Sequence, residues 1–240
     1  MEDINNHTYT VKIDQIYSPE GKSYHRVKYI PKIEKIKSYL ALKPTNKLLD
    51  IGVGYGSFLN LIEETLDIET YGLDPYSESI EITRRYTKAD IRNGRIEDSV
   101  WPFDFKFEII TCFDVIEHLE NPSVFFKHVK QYISPDGIII ATTPLRLLPY
   151  KLRSIPLLGL KDTNPTHINV HPPSYWNHLA HEHGYEIIES WRGEHLTHVK
   201  LLPGIIGRVC SIFGLDHRKV PIINTFEQAY NMILKPISND

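Results

Sequence analysis

A carboxylate followed by three closely spaced glycines is the clearest candidate for a binding site. Asp50 precedes Gly52, Gly54 and Gly56 in the segment LLDIGVGYG. Glycine permits backbone conformations with positive φ and lets main chain approach a ligand closely. A second acid, Asp74, follows Gly56 by 18 residues, close to the ~20-residue offset at which an acid reaches ribose hydroxyls in nucleotide-binding folds. We therefore expect a ligand that contains a ribose.

The spacing of the glycines separates two classes of such ligands. Dinucleotide-binding proteins have G-x-G-x-x-G, where a helix N-terminus holds a pyrophosphate, whereas this chain has G-x-G-x-G. We expect Asp50 to place a fixed negative charge at the turn, which would repel a pyrophosphate. The same charge would attract the ammonium group of an amino acid, directly or through water. The residues thus favour a cationic nucleoside that bears an amino acid over NAD.

Alternating apolar strands and amphipathic segments predict the fold that positions these residues. KLLDIG, TYGLD and FEIITCFDVI read as buried strands, and each is followed by a segment with helical periodicity. This alternation predicts an α/β fold, a doubly wound Rossmann-like sheet covered by helices on both faces. We expect further elements at these positions: a surface helix over residues 32–42, a helix that includes Val124 to Ile133, a turn at 134–137, a strand over 138–142, a helix over 173–183 closed by Gly184, and strands over 185–191 and 226–236.

Four segments in sequence order resemble the motifs of class I S-adenosylmethionine-dependent methyltransferases. LLDIGVGYGSFL resembles the first motif, YGLDPYSESI the second, NGRIEDSVWPF stands where the adenine loop belongs, and PDGIIIATTP matches the fifth strand. Between them, ITCFDVIEHLENP closely resembles the fourth-strand motif of the enzymes that O-methylate ubiquinone precursors. The resemblance covers about residues 46 to 144. It implies S-adenosylmethionine as cofactor and a seven-stranded sheet whose last strand is antiparallel.

The resemblance also assigns cofactor contacts position by position. It implies that the glycine turn with Asp50 holds the methionine end and that Asp74 holds the two ribose hydroxyls. Phe113 stands where the family contacts the sulfur side of the cofactor, and Ile96 with Glu97 stands at the adenine edge. Relatives often have an acid after the glycine of the adenine loop, but this chain has Arg95 there. Glu97 or Asp98 is then the expected partner of the adenine amino group.

Histidines after the fourth and fifth predicted strands are the candidate catalytic groups. Methyl transfer from a sulfonium is an in-line displacement, which needs nucleophile and methyl aligned at ~3 to 3.5 Å and a base for a hydroxyl proton. His118, His167 and His171 are the expected candidates for that base. The alternative for His167 and His171 is that they are loop histidines with structural partners.

The group Asp114, Glu117 and His118 has a second interpretation. In the ubiquinone-pathway group a similar acid-x-x-acid-His sequence is associated with a divalent metal, and these residue types suit a hard cation plus an imidazole. The alternative is that Glu117 and His118 begin the next segment and close the site. We predict that no metal is used and keep the three residues as the candidate ligands.

Charge and length limit the partners and the domain organisation. The 240 residues include 27 basic and 30 acidic side chains, a net charge of −3 at pH 7, so no global positive field favours nucleic acid. The N-terminus lacks the features of a secretory signal, and two distant cysteines fit a reducing compartment, so we expect a cytoplasmic protein. We predict one domain over residues 1–240, with a cap segment at 1–45, a cofactor-binding half at 46–144 and a substrate-side half at 145–240.

Two apolar segments with interspersed basic residues, about 145–161 and 195–220, are expected as insertions after the fifth and sixth strands. Their composition suits an apolar acceptor, an anionic headgroup or peripheral contact with a membrane. They form either a lid over the acceptor or two segments that pack on one another. We predict O-methylation of an apolar or phosphate-bearing small molecule, with N- or C-methylation open. A non-catalytic cofactor-binding partner subunit and a protein or nucleic-acid methyltransferase are the alternatives, and the oligomeric state is left open.

Overall fold

The computed structural model describes residues 13–144, 166–192 and 229–237. Seven strands of these residues form one sheet in the order β3-β2-β1-β4-β5-β7-β6. Strands β1 to β5 pair in parallel, and β7 runs antiparallel to both β5 and β6. The predicted doubly wound sheet with an antiparallel last strand is confirmed. The strands are β1 Lys47–Ile51, β2 Glu69–Asp74, β3 Asp90–Asn93, β4 Phe107–Phe113, β5 Ile133–Pro144, β6 Tyr185–Arg192 and β7 Ala229–Pro236.

The helices cover both faces of this sheet. They are α1 Ile13–Ile16, α2 Pro19–Tyr39, α3 Ser57–Thr65, α4 Ser77–Tyr86, a 3₁₀ turn Ile116–His118, α5 Ser123–Tyr132 and α6 Pro173–Glu182. Leu48 and Ile109 pack with the apolar stripes of α2, α3 and α4, whereas the next residues along each strand, Leu49 and Ile110, pack with α5 and α6. Successive strand side chains point to opposite faces. The continuous apolar runs read from the sequence are therefore strands that are buried on both sides.

The order of the strands places the predicted site at one edge of the sheet. From β1 the chain builds outward through β2 and β3, whereas β4 and β5 lie on the other side of β1. Connections that leave in opposite directions open a crevice at the carboxyl ends of the strands. Asp50, Asp74 and Phe113 lie at these ends of β1, β2 and β4. The topology thus brings together residues that are far apart in the chain.

The first long helix differs from its prediction. We expected a helix over 32–42, but α2 spans 21 residues and ends at Tyr39. The helix begins at Pro19 and is capped by Ser18, whose hydroxyl accepts the Gly21 N–H at 3.0 Å. Pro31 lies inside the helix, where proline normally marks a boundary. The apolar spacing of the sequence begins only near this proline, which is why the first half of the helix was missed.

Strand β5 also begins earlier than predicted. Ile133 was expected in the helix, but it pairs with Phe107 of β4, and pairing resumes at Ile138 opposite Ile109. Residues 134–137, the predicted turn, therefore bulge out of the ladder. Later in the chain, Gly184 closes α6 with φ +77°, as the sequence predicted.

The two apolar segments and the start of the chain lie outside the described residues, so the proposed lids, the three-part division and the single domain stay predictions. Within the part of the chain that the structure describes, no helix has the length and apolar character needed to cross a bilayer.

Candidate cofactor and acceptor site

The glycine turn after β1 has the backbone conformation that only glycine adopts easily. Gly52, Gly54 and Gly56 have φ of +77°, +54° and +79°. A Cβ on Gly52 would lie 2.4 Å from Cγ2 of Val115, so this glycine is required by packing. A Cβ on Gly54 would meet no heavy atom within 4 Å. Gly54 therefore presents bare main chain to open space, as a ligand-facing turn requires.

Asp74 joins this turn to the end of β2. Its two carboxylate oxygens accept the N–H of Gly54 at 3.2 Å and the N–H of Tyr76 at 2.9 Å. Burial raises the pKa of Asp74 above its ordinary value. Each carboxylate oxygen has a second lone pair, so these bonds leave acceptor capacity for ribose hydroxyls. The role of Asp74 as the ribose contact stays a prediction.

Asp50 differs from its expected role as a fixed charge. Its side chain is 3% exposed and shares a 2.6 Å hydrogen bond with the hydroxyl of Thr111 on β4. Burial raises the pKa of Asp50 to about 8, although the Thr111 bond acts in the opposite direction. The carboxyl group is therefore mostly neutral at pH 7 until a cation approaches it.

Helix α2, which lies within the predicted cap segment, contacts the glycine turn and the end of β4 through side chains that the sequence did not single out. The hydroxyl of Tyr17, just before this helix, donates to the carbonyl of Tyr55 in the glycine turn at 2.6 Å. Lys28 Nζ lies 3.2 Å from Oδ2 of Asp114, directly after β4. Tyr29, also buried, packs edge-on against Phe58 of α3 at 5.2 Å between ring centroids. These contacts carry no motif signal, because they depend on how α2 lies across the sheet edge.

Phe113 lies between helix α2 and the core. Its ring contacts the rings of Phe58 at 4.9 Å and Tyr29 at 5.9 Å between centroids. The Nζ of Lys32 lies 5.1 Å from the centroid of Phe113. Burial and the charge of Lys28 lower the pKa of Lys32 to about 7. Phe113 is therefore surrounded by aromatic rings and by the Lys32 amine, whose lowered pKa favours its neutral form.

The loop after β3 begins beside Asp74, since the Gly94 N–H donates to the Asp74 carbonyl at 3.2 Å. Asp98 accepts the Arg95 N–H at 2.7 Å, so its carboxylate stabilises the loop itself. Glu97 is exposed, whereas the side chain of Ile96 is buried in the core. Both predicted partners for the adenine amino group, Glu97 and Asp98, are exposed, and they differ in that the Asp98 carboxylate accepts a hydrogen bond from the loop backbone.

A cluster that we call the acid–histidine cluster, Glu117, His118 and His167, lies just beyond β4. Their ligand atoms lie within 4.8 Å of one another, and the two imidazole rings contact edge-on at 4.8 Å between centroids. The Glu117 carbonyl accepts the N–H groups of Ile168 and Asn169 at 3.1 and 2.9 Å. These bonds hold the segment before α6 against the 3₁₀ turn and so bring His167 to His118.

The hydrogen bonding of His118 fixes its tautomer. Nδ1 lies 3.0 Å from the carbonyl oxygen of Thr166, and a carbonyl only accepts, so Nδ1 carries a proton. In the neutral ring Nε2 is then the nitrogen without a proton. Such a nitrogen is suited to accept a proton or to bind a metal.

Two other candidate residues lie apart from this cluster. His171 stacks on Tyr175 at 3.8 Å, and its Nε2 lies 3.1 Å from Oδ1 of Asn169. Asp114, a candidate metal ligand, has φ +58° and pairs with Lys28 instead of joining the cluster. The role of His171 as a base stays a prediction.

The donor set of the acid–histidine cluster fits a divalent ion. One carboxylate and two imidazoles suit a transition metal better than a hard cation, because His167 and not the candidate ligand Asp114 completes the cluster. When bound, such an ion would act as a Lewis acid toward the acceptor oxygen.

Comparison with known proteins agrees with this geometry. The methyltransferase domain family matches residues 24–190. The chain belongs to this family. The mitochondrial ubiquinone biosynthesis O-methyltransferase of Schizosaccharomyces pombe is 30% identical over 119 residues, which cover 46% of this chain and 42% of that protein. The chain thus spans about half the length of the curated relatives it matches first.

Solved structures share the fold of this chain. The S-adenosylmethionine-dependent methyltransferase of Clostridium acetobutylicum has a TM-score of 0.58 at 12% identity, covering 94% of this chain and 97% of that one. The magnesium protoporphyrin IX methyltransferase of Synechocystis, solved with bound S-adenosylhomocysteine, has a TM-score of 0.57 at 12% identity, covering 90% and 86%. The predicted family and its cofactor, S-adenosylmethionine, are confirmed.

Proposed function

We propose that this methyltransferase transfers a methyl group from S-adenosylmethionine to a hydroxyl group of a small molecule, with His118 as the general base. The observation that carries the proposal is the bond between Nδ1 of His118 and the Thr166 carbonyl. In this tautomer Nε2 is the basic atom of an imidazole located just beyond β4. General bases of this kind contribute typically ~10²- to 10⁴-fold to rate.

In the proposed reaction, separate residues bind the cofactor and accept the proton. Asp74 and the main chain at Gly54 bind the nucleoside, and Asp50 becomes ionised opposite the ammonium group. When bound, the cofactor supplies the electrophilic methyl group. His118 accepts the hydroxyl proton at Nε2 as the new oxygen–carbon bond forms and the carbon–sulfur bond breaks. The buried carboxylate of Glu117 stabilises the positive charge that then develops on the neighbouring imidazoles.

Two observations support an apolar acceptor. The relatives matched first are ubiquinone biosynthesis O-methyltransferases. Ile168, next to His167, is 55% exposed and offers an apolar surface beside the acid–histidine cluster. The basic residues of the two apolar segments would attract the phosphate of a phosphate-bearing acceptor. The same residues would also favour peripheral contact with lipid headgroups.

Mass spectrometry of methyl transfer to apolar phenols and phosphate-bearing alcohols tests the proposal. We expect H118A to lower kcat by ~10²- to 10⁴-fold while cofactor affinity stays unchanged. The matched control is H178A, because His178 lies on α6 with a side chain that is 74% exposed. Full activity of H118A would remove His118 as the base. Tight cofactor binding without transfer to any acceptor would favour the non-catalytic partner subunit.

A further inference from the structure

A buried histidine of helix α5 forms a hydrogen bond with the backbone of the loop after β3. Nδ1 of His128 lies 2.8 Å from the carbonyl oxygen of Ile96, and the ring is 8% exposed. Because a carbonyl only accepts, Nδ1 is the donor. The hydrogen bond therefore fixes the direction of one particular peptide group in the loop that begins beside Asp74.

A second bond from the same face of α5 holds the far end of the loop. The backbone N–H of Trp101 donates to the hydroxyl of Tyr132 at 2.7 Å. The two side-chain rings stack at 4.6 Å between centroids with an interplanar angle of 11°. Tyr132 follows His128 by four residues, which places both side chains on one helix face. The loop from Ile96 to Trp101 is thus tied to α5 at both ends.

The geometry of the peptide group gives this arrangement a consequence for the ligand. The structure has no cis peptide bond among its described residues, and in a trans peptide C=O and N–H point in opposite directions. The Ile96 carbonyl points toward α5, so the N–H of Glu97, which belongs to the same peptide group, points away from the helix. It is then directed to the side of the loop opposite the buried helix.

We propose that His128 is a positioning residue for the base of the cofactor, because it directs the Glu97 N–H toward a ring nitrogen that has a lone pair. This inference rests on the proposed function. Adenine has such an acceptor at N1, whereas hypoxanthine carries a proton there and would oppose the N–H with a second donor. His128 therefore contributes to the selection of adenine without touching the cofactor.

Binding of S-adenosylhomocysteine and S-inosylhomocysteine to the full chain tests the proposal by calorimetry. In H128L the donor that fixes the direction of the Ile96–Glu97 peptide group is lost, and we expect the preference for the adenine ligand to fall by about 10-fold. In H128N the amide N–H takes the place of Nδ1, and the preference should return. The matched control is Y185F, which removes another buried bond to α5, from Tyr185 to the Phe126 carbonyl at 3.2 Å.

The outcomes separate this proposal from the proposed function. An equal loss of affinity for both ligands in H128L, or an equal loss of preference in Y185F, would overturn the role of His128. Failure of the unaltered chain to bind either ligand would instead overturn the proposed function. If H128L does not fold, ¹⁵N NMR of the unaltered chain decides, because a neutral His128 protonated only at Nε2 would contradict the proposal.

Discussion

Cofactor binding should release a proton from Asp50, and the structure gives the expected size of the effect. With a pKa of about 8 in the free protein, Asp50 is roughly one-tenth ionised at pH 7 and one-hundredth ionised at pH 6. If the ammonium group of the cofactor requires the ionised form, affinity rises about tenfold from pH 6 to pH 7. At pH 7 binding releases nearly one proton.

Calorimetry in buffers of different ionisation enthalpy measures the proton release directly. D50N should bind with no release from this group and with a flat affinity between pH 6 and pH 7. T111V removes the bond that lowers the pKa of Asp50. The rise in cofactor affinity of this variant should therefore occur at a higher pH. The control T142V removes a buried hydroxyl whose partner is Asn231 on β7 and should leave the profile unchanged. Equal pH slopes for D50N and the unaltered chain would refute the reasoning.

The same raised pKa has a consequence for the free protein. The folded state binds the Asp50 proton more tightly than the unfolded chain, whose carboxyl has the ordinary value of 3.8. The contribution of Asp50 to the free energy of unfolding is therefore fully present below pH ~4 and declines as the pH rises toward 8. The cofactor offsets this loss when it supplies a cation.

Three further predictions follow from the site. D74A should weaken cofactor binding by ~2 to 4 kcal/mol in calorimetry, because hydrogen bonds to a charged acceptor are lost; unchanged affinity would remove Asp74 from the site. G54A should cost only the backbone strain of about 1 kcal/mol in thermal unfolding yet weaken cofactor binding, whereas G52A adds the clash with Val115 and should unfold at a lower temperature. Equal effects of the two glycine variants would contradict this. Dialysis against EDTA should leave kcat unchanged, and a loss that Zn²⁺ or Mn²⁺ restores would assign the acid–histidine cluster to a metal.

The parts of the fold that depend on local patterns were predictable from the sequence. Apolar runs, the glycine turn and the acid at the end of β2 predicted the sheet and the edge at which the candidate cofactor site lies, because strand period and turn chemistry are local properties. The raised pKa of Asp50 was not predictable, since it depends on burial between neighbouring strands. The pairing of Asp114 with Lys28 and the meeting of His118 with His167 join residues distant in sequence, and no spacing rule reports them.

The bond from Tyr17 to the glycine turn bears on how this protein can be divided or recombined. The pocket has one wall built from residues that precede the recognisable motifs, and α2 carries Lys28 and Tyr29 into it. A fragment that starts at Lys47 would keep every motif and still have an open flank. Chimeras with relatives should therefore exchange α1 and α2 together with the motif-bearing half, so that each glycine turn keeps the helix with which it packs.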